Sequence, residues 1–201
     1  MDDLFDTPPE PELDWYPDWL SRERADAFFA RLLAEVDWRQ QSIRTPRGPV
    51  PMPRLTAWQG EPEAVYVYSG IRNVPAPWTE AVAELRRLAE ATCGARFNSV
   101  LLNRYRSGSD SMSWHSDNEP ELGEAPVIAS LSLGATRVFD LRHDASRALR
   151  AYRLTHGSLL VMRGATQRDW RHRVAKAPAV QGERLNLTFR LVGPRRALAA
   201  S

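Results

Sequence analysis

The chain has little of several things, and each shortage narrows its chemistry. Cys93 is the single cysteine among 201 residues, which excludes an intramolecular disulfide and a zinc site built on paired thiolates. A small apolar core role is expected for it. No run of about 18 apolar residues occurs, so neither a membrane-spanning helix nor a membrane partner is expected. The N-terminus opens on Asp2 and Asp3 in place of a basic region followed by an apolar stretch, so no secretory leader is expected and cytoplasmic residence follows. Lysine is nearly missing, since Lys176 is the one basic residue of 27 that is not Arg.

The formal charge of +2 hides an asymmetry. Residues 1–35 carry ten acids against three bases, whereas residues 137–196 carry fourteen bases against four acids. The planar fork of Arg pairs with phosphate and stacks on bases, so the basic half reads either as a surface for an anionic polymer or as solvated arginines. The length and a hydrophobic fraction of 43% suit one domain with a sizeable core, expected to act as a monomer.

Residues 1–18 are rich in Pro and acids without a clear period, and a poorly ordered or wrapped arm is expected there. Ser21 can cap a helix whose apolar positions Ala25, Phe28, Phe29, Leu32, Leu33 and Val36 recur at helical spacing. Thr79 opens a second helix, with Val82, Leu85, Leu88 and Ala89 on one side and Gly94 ending it. Residues 19–96 thus hold the helices, with hairpins and loops between them. From residue 97 to 194 the texture changes to short apolar runs with turn signals, the pattern of a sandwich or jelly roll. The expected class is α+β: a jelly-roll core with the N-terminal helices packed on it.

His115 and Asp117 are two apart, so on an extended segment both side chains point to one side. With a second imidazole they form a set that holds non-haem iron(II) while leaving positions open for a cosubstrate and oxygen. His172 is the leading third ligand. His143, in a polar loop, and His156, before Gly157 in a turn, are its competitors. In the run from Arg184 to Arg190, Arg184, Asn186, Thr188 and Arg190 share one face while Leu185, Leu187 and Phe189 share the other. Two guanidiniums turned inward need partners. A dicarboxylate would answer both, and pairing with protein acids or solvent is the plainer alternative. Asn103 and Tyr105 share a face in the same way, as neutral hydrogen-bonding groups.

Taken in order, Asn103-Arg-Tyr105, His115-Ser-Asp117, the stretch 127–134, His156-Gly-Ser, His172 and the run 184–190 resemble the AlkB family of iron(II)- and 2-oxoglutarate-dependent nucleic-acid dealkylases. The resemblance covers about residues 45–191. It implies a double-stranded β-helix core, Fe(II) held by His115, Asp117 and His172, and 2-oxoglutarate held by Asn103, Tyr105, Arg184, Asn186 and Arg190, with O2 as co-reactant. Arg184 is assigned to the distal carboxylate and Arg190 to the end near the metal. The activity implied is oxidative demethylation of 1-methyladenine- and 3-methylcytosine-type lesions in DNA. Methylated RNA, or a catalytically silent damage-binding protein with a structural metal, are the alternatives.

A methyl group on a base's pairing edge is reached only by flipping the base or by taking single strands. By the same resemblance Tyr68 and His115 would sandwich that base and Glu119 would meet its exocyclic amine. Tyr66 and Trp58 are further wall candidates, though a core role is as good a reading for Trp58. Asn118 departs from the acid common in close relatives. Arg47 stands near the tip of a hairpin 45–50, with Pro49 and Val50 as a possible wedge, and the arginines of 142–153 and 168–173 are candidates for phosphate contact.

Overall fold

The two helices form where capping and apolar spacing place them. A computed structural model describes residues 9–46, 48–68 and 71–193. In chain order the elements are β1 (Leu13–Tyr16), α1 (Arg22–Glu35), β2 (Ser42–Thr45), β3 (Gly48–Pro51), β4 (Leu55–Gly60), β5 (Tyr66–Tyr68), β6 (Ile71–Asn73), α2 (Glu80–Cys93), β7 (Ser99–Tyr105), β8 (Met112–His115), a 3-10 turn (Pro120–Leu122), β9 (Ile128–Gly134), β10 (Arg137–His143), β11 (Leu149–Leu154), β12 (Ser158–Met162), α3 (Thr166–Asp169), β13 (Trp170–Val174) and β14 (Arg184–Arg190). Ser21 Oγ accepts from the amide of Arg24 at the start of α1, satisfying one of the donors a helix N-terminus leaves open. Gly94 ends α2 at φ 62, a left-handed turn that glycine adopts without a Cβ clash.

Among the described residues the strands form a major sheet in the order β1-β12-β9-β14-β7-β4 and a minor sheet in the order β11-β10-β13-β8, with β2-β3 and β5-β6 as separate hairpins. The jelly-roll core expected from the strand spacing is present. One cluster joins Ala25, Phe28 and Leu32 of α1 and Val82, Leu85 and Ala89 of α2 to Leu102, Leu131, Leu133, Leu185, Leu187 and Phe189 on one face of the major sheet. A second cluster, with Tyr105, Ile128, Phe139, Leu141, Met162 and Trp170, joins residues of the two sheets.

Two expectations need correction. The arm 1–18 does not stay loose throughout: residues 13–16 form the edge strand β1, paired with β12 from Leu13 opposite Met162 to Tyr16 opposite Leu159. Leu13 and Trp15 pack against the inter-sheet cluster, and Asp14 Oδ2 accepts from Arg163 Nε at 2.6 Å, so burial and an ion pair order a segment whose composition looked unstructured. Residues 1–8 lie outside the described residues. The boundary at 97 is also too late, because β4 pairs with β7 from Leu55 opposite Arg104 to Gly60 opposite Ser99 and closes the other edge of the same sheet.

Candidate metal centre and cosubstrate cleft

Strand pairing brings the first and third candidate ligands together. His115 and His172 face each other directly across β8 and β13, where directly opposed side chains stand about 5 Å apart at Cβ. Their ring centroids are 4.2 Å apart in an edge-on arrangement. Asp117 follows the end of β8, and one ligand atom from each of His115, Asp117 and His172 lies within 4.8 Å of the others. The competitors are engaged elsewhere: His143 Nδ1 meets Ser146 Oγ at 3.0 Å, and His156 Nδ1 accepts from the Gly134 amide at 2.8 Å.

The electrostatics suit a divalent cation. His115 Nδ1 lies 2.8 Å from the Ser113 carbonyl, which only accepts, so Nδ1 carries the proton and Nε2 keeps its lone pair. Burial pushes His115 below its ordinary pKa and pushes His172 down to about 3. Both rings are therefore neutral near pH 7, the form a metal requires. Burial works to raise the Asp117 carboxyl, but the Arg190 guanidinium, the strongest opposing influence, outweighs it and holds it below the usual value. Arg190 Nη2 donates to Asp117 Oδ2 at 2.7 Å, a buried, charge-assisted bond in which Oδ1 takes no part.

The even positions of β14 look into the cleft between the sheets. Register sets Arg184 opposite Tyr105 and Asn186 opposite Asn103, while Asn186 and Thr188 lie across from Ser132 and Ser130 on the other side. Arg184 is 1% exposed. Its Nη2 donates to Ser132 Oγ at 2.9 Å, and its Nε and Nη1 are buried without a hydrogen-bond partner among the described residues. Orphaned donors on a buried cation are costly and fit an anion that supplies the missing acceptors. Burial, and next to it the neighbouring Arg137, pull the Arg184 pKa down. The guanidinium carbons of Arg184 and Arg137 lie 5.1 and 5.6 Å from the Tyr105 ring centre.

Asn103 Oδ1 accepts from Arg54 Nε at 2.7 Å, so its amide nitrogen remains a donor. Asn186 departs from expectation. Its Nδ2 donates to Ser130 Oγ and to the Leu131 carbonyl and its Oδ1 accepts from Thr188, so it is engaged within the sheet and does not offer its donors to the cleft. Trp58 is likewise taken up by packing: it is 8% exposed in a small cluster with Ala64, Leu122 and Val192, and its indole donates to the Ala64 carbonyl at 3.2 Å. That burial makes it a core residue and not an open wall for a base. Glu119 is half-buried just before the 3-10 turn and Asn118 is exposed. Tyr66 and Tyr68 lie on β5, with side chains outside the described residues, as is Arg47. A cleft of about 160 Å³ lies against His115, bounded by Ile43, Met52 and Arg54 on one side and Met112 and Trp114 on the other.

Two residues at the site escaped the sequence reading. Arg54 orients Asn103, and Gln167 Oε1 accepts from the Asp117 amide at 2.8 Å. Neither lies in a periodic run, and the one usable signal for Gln167 was its place five residues ahead of His172.

Comparison with known proteins bears on this geometry. The sequence profile of the 2OG-Fe(II) oxygenase superfamily matches residues 12–190, and the chain belongs to that superfamily. Within it the AlkB resemblance holds. The chain is 44% identical to alpha-ketoglutarate-dependent dioxygenase alkB homolog 3 of Rattus norvegicus, over 89% of this chain and 63% of that protein. It is 43% identical to the Homo sapiens protein of the same name, over 89% and 65%, and 37% identical to DNA oxidative demethylase ALKBH2 of Arabidopsis thaliana, over 87% and 64%. The chain thus spans under two thirds of the length of each of these relatives. The solved structure of OsALKBH1 shares the fold, with a TM-score of 0.65 at 15% identity over 92% of this chain and all of that one.

Proposed function

We propose that the chain is an Fe(II)- and 2-oxoglutarate-dependent oxidative demethylase of N-alkylated nucleic-acid bases, acting on 1-methyladenine- and 3-methylcytosine-type lesions in DNA. The observation that carries the reading is the inward face of β14. It ends at Arg190 on the Asp117 carboxylate and begins at Arg184 with buried, unanswered donors, a spacing of one cationic end at the metal ligands and one beyond them.

His115 Nε2, Asp117 Oδ1 and His172 would hold the iron, and Arg184 would take the distal carboxylate of 2-oxoglutarate, with Asn103 Nδ2 and the Tyr105 hydroxyl as further donors. Bound iron and 2-oxoglutarate together supply the O2-dependent oxidation that turns an N-methyl group into a hydroxymethyl group, which leaves as formaldehyde. The protein's work is to bind, orient and exclude competing chemistry. Burial keeps both imidazoles unprotonated, Arg190 keeps Asp117 ionised and turned, and Arg54 keeps the Asn103 amide facing its donor outward. By the family resemblance Tyr68 and His115 would enclose the flipped base, with Glu119 at its exocyclic amine and Tyr66 and Arg47 as further candidate contacts. The jelly roll, the helices on its outer sheet and the lid hairpins act in this reading as one domain, a cytoplasmic monomer.

Phosphate contact falls to particular arginines. Arg168, Arg171 and Arg173 pair with Asp169, Asp144 and Asp140, and Arg150 pairs with Glu10. Arg142 has no acidic partner among the described residues, and its guanidinium carbon stands 4.5 Å from the ring centre of Trp114, next in sequence to His115. Arg142 is one group through which binding would weaken with salt.

The test is a panel in which one 1-methyladenine lesion is presented in single-stranded DNA, duplex DNA and RNA, with formaldehyde as the readout. Repair of the DNA forms that stops without 2-oxoglutarate supports the reading. Faster repair of RNA moves the substrate to RNA, and no formaldehyde from any of the three rejects the activity.

A further inference from the structure

Asp117 lies past the end of β8, so its amide has no partner in a strand ladder. What secures it is Gln167 on the single turn of α3. The Gln167 side chain is 2% exposed, its Oε1 accepts from the Asp117 amide at 2.8 Å across 50 residues of chain, and its Nε2 lies 3.0 Å from Met162 Sδ. Both ends of the side chain amide are thus occupied, which fixes its rotamer.

The turn that bears Gln167 is itself tied down from the N-terminal side. The Arg163 amide donates to the Glu12 carbonyl at 2.9 Å, the Glu12 amide donates to Thr166 Oγ1 at 2.9 Å, and Thr166 Oγ1 returns a bond to the Glu12 carbonyl at 3.0 Å. The Glu12 carboxylate accepts from the Ala165 amide at 2.9 Å. It fills the space above Gly164, where a Cβ would fall 2.1 Å from Glu12 Oε2, at a φ of 52. These bonds link residue 12, through the turn 163–166 and the Gln167 amide, to the backbone of the carboxylate ligand.

We propose that Gln167 is a positioning residue for the metal centre and that Glu12, by clamping the turn, couples strand β1 to it. The inference rests on the reading of His115, Asp117 and His172 as metal ligands. An ionised carboxylate with one oxygen already on Arg190 binds a cation well only if its backbone is held while the other oxygen turns to the metal, and outer bonds of this kind are typically worth about 10–100-fold in metal affinity.

The test measures Mn(II) uptake by the full chain, reading free Mn(II) by electron paramagnetic resonance, without cosubstrate or turnover, alongside thermal unfolding of the metal-free protein. Gln167→Met keeps the side-chain volume and removes the acceptor. We expect its Kd for Mn(II) to rise about 10–100-fold, while Glu12→Ala weakens binding in the same direction by less and Glu12→Gln, which retains the acceptor for the Ala165 amide, restores it. Wild-type affinity in Gln167→Met overturns the proposal. If that variant does not fold, wild-type affinity in folded Glu12→Ala overturns it instead. Wild-type protein that takes up no Mn(II) sinks the metal reading itself, which separates the two failures.

Discussion

The two faces of the major sheet are made by the same strands and could hardly differ more. On one face Leu102, Leu131, Leu133, Leu185, Leu187 and Phe189 pack against the helices with essentially no exposure. On the other, Asn103, Tyr105, Ser130, Ser132, Arg184, Asn186, Thr188 and Arg190 form a buried polar patch beside the apolar Ile128, Leu160 and Met162. Alternation along a strand makes the two faces independent in side-chain content, so one face can be tuned for stability while the other retains donors that stability alone would remove. The cleft face is expected to cost the unliganded protein stability, and the helix face to supply it.

Substitutions on each face test that division. The largest effect is expected from Asp117→Ala, which removes the carboxylate between the imidazoles: formaldehyde release should fall by more than about 100-fold, the melting temperature should also fall because the buried Arg190 loses its carboxylate, and retained turnover by the folded variant would sink the metal assignment. On the other face Leu187→Ala should cost about 2–5 kcal/mol in chemical denaturation while leaving 2-oxoglutarate affinity at low temperature unchanged. A loss of affinity there would mean that the faces are coupled. Arg184→Met joins both questions. We expect 2-oxoglutarate binding to weaken by about 2–5 kcal/mol in calorimetry, and the unliganded protein to gain about 1–4 kcal/mol because a buried cation with unmet donors is gone. A destabilised variant would show that Arg184 is already satisfied.

The smallest effect belongs to Cys93 on the helix face. Burial pushes its thiol up to about 11, so the native protein should not react with a disulfide reagent at pH 8 although the unfolded protein does. The folded state holds the thiol proton more tightly than the unfolded one. Its contribution is therefore fully present below the unfolded thiol pKa of about 8.5 and is lost as pH rises from there toward 11. A rapid native reaction at pH 8 would contradict the burial.

The division between faces also explains what was legible beforehand. The β14 run announced itself because strict alternation put both arginines on one side, and His115 with Asp117 followed from spacing on an extended segment. Strand pairing then selected His172 over His143 and His156, a choice no local pattern could make with certainty. Gln167 and Arg54 stayed hidden because each acts through one long-range bond, with no period or charge cluster to mark it. Strand β1 was missed because its order comes from partners about 150 positions away: Met162 opposite Leu13 and Arg163 on Asp14. Asn186 was placed on the correct face, yet its amide went to Ser130 and Leu131, since hydroxyls on the neighbouring strand compete with a ligand for the same donors.

The position of β14 has a kinetic side as well. It is the latest strand among the described residues, yet it sits inside the major sheet between β9 and β7. During synthesis β7 and β9 therefore emerge with inner edges that nothing yet covers, and the earlier strands wait for a segment some 50 to 90 residues behind them. Pairings between positions so far apart fold slowly, because loop closure must precede any gain from contact, and bare strand edges recruit other chains meanwhile. The segment that carries both arginines thus doubles as the closing piece of the sheet, so that a chain halted before residue 184 lacks both arginines and leaves two strand edges open to aggregation.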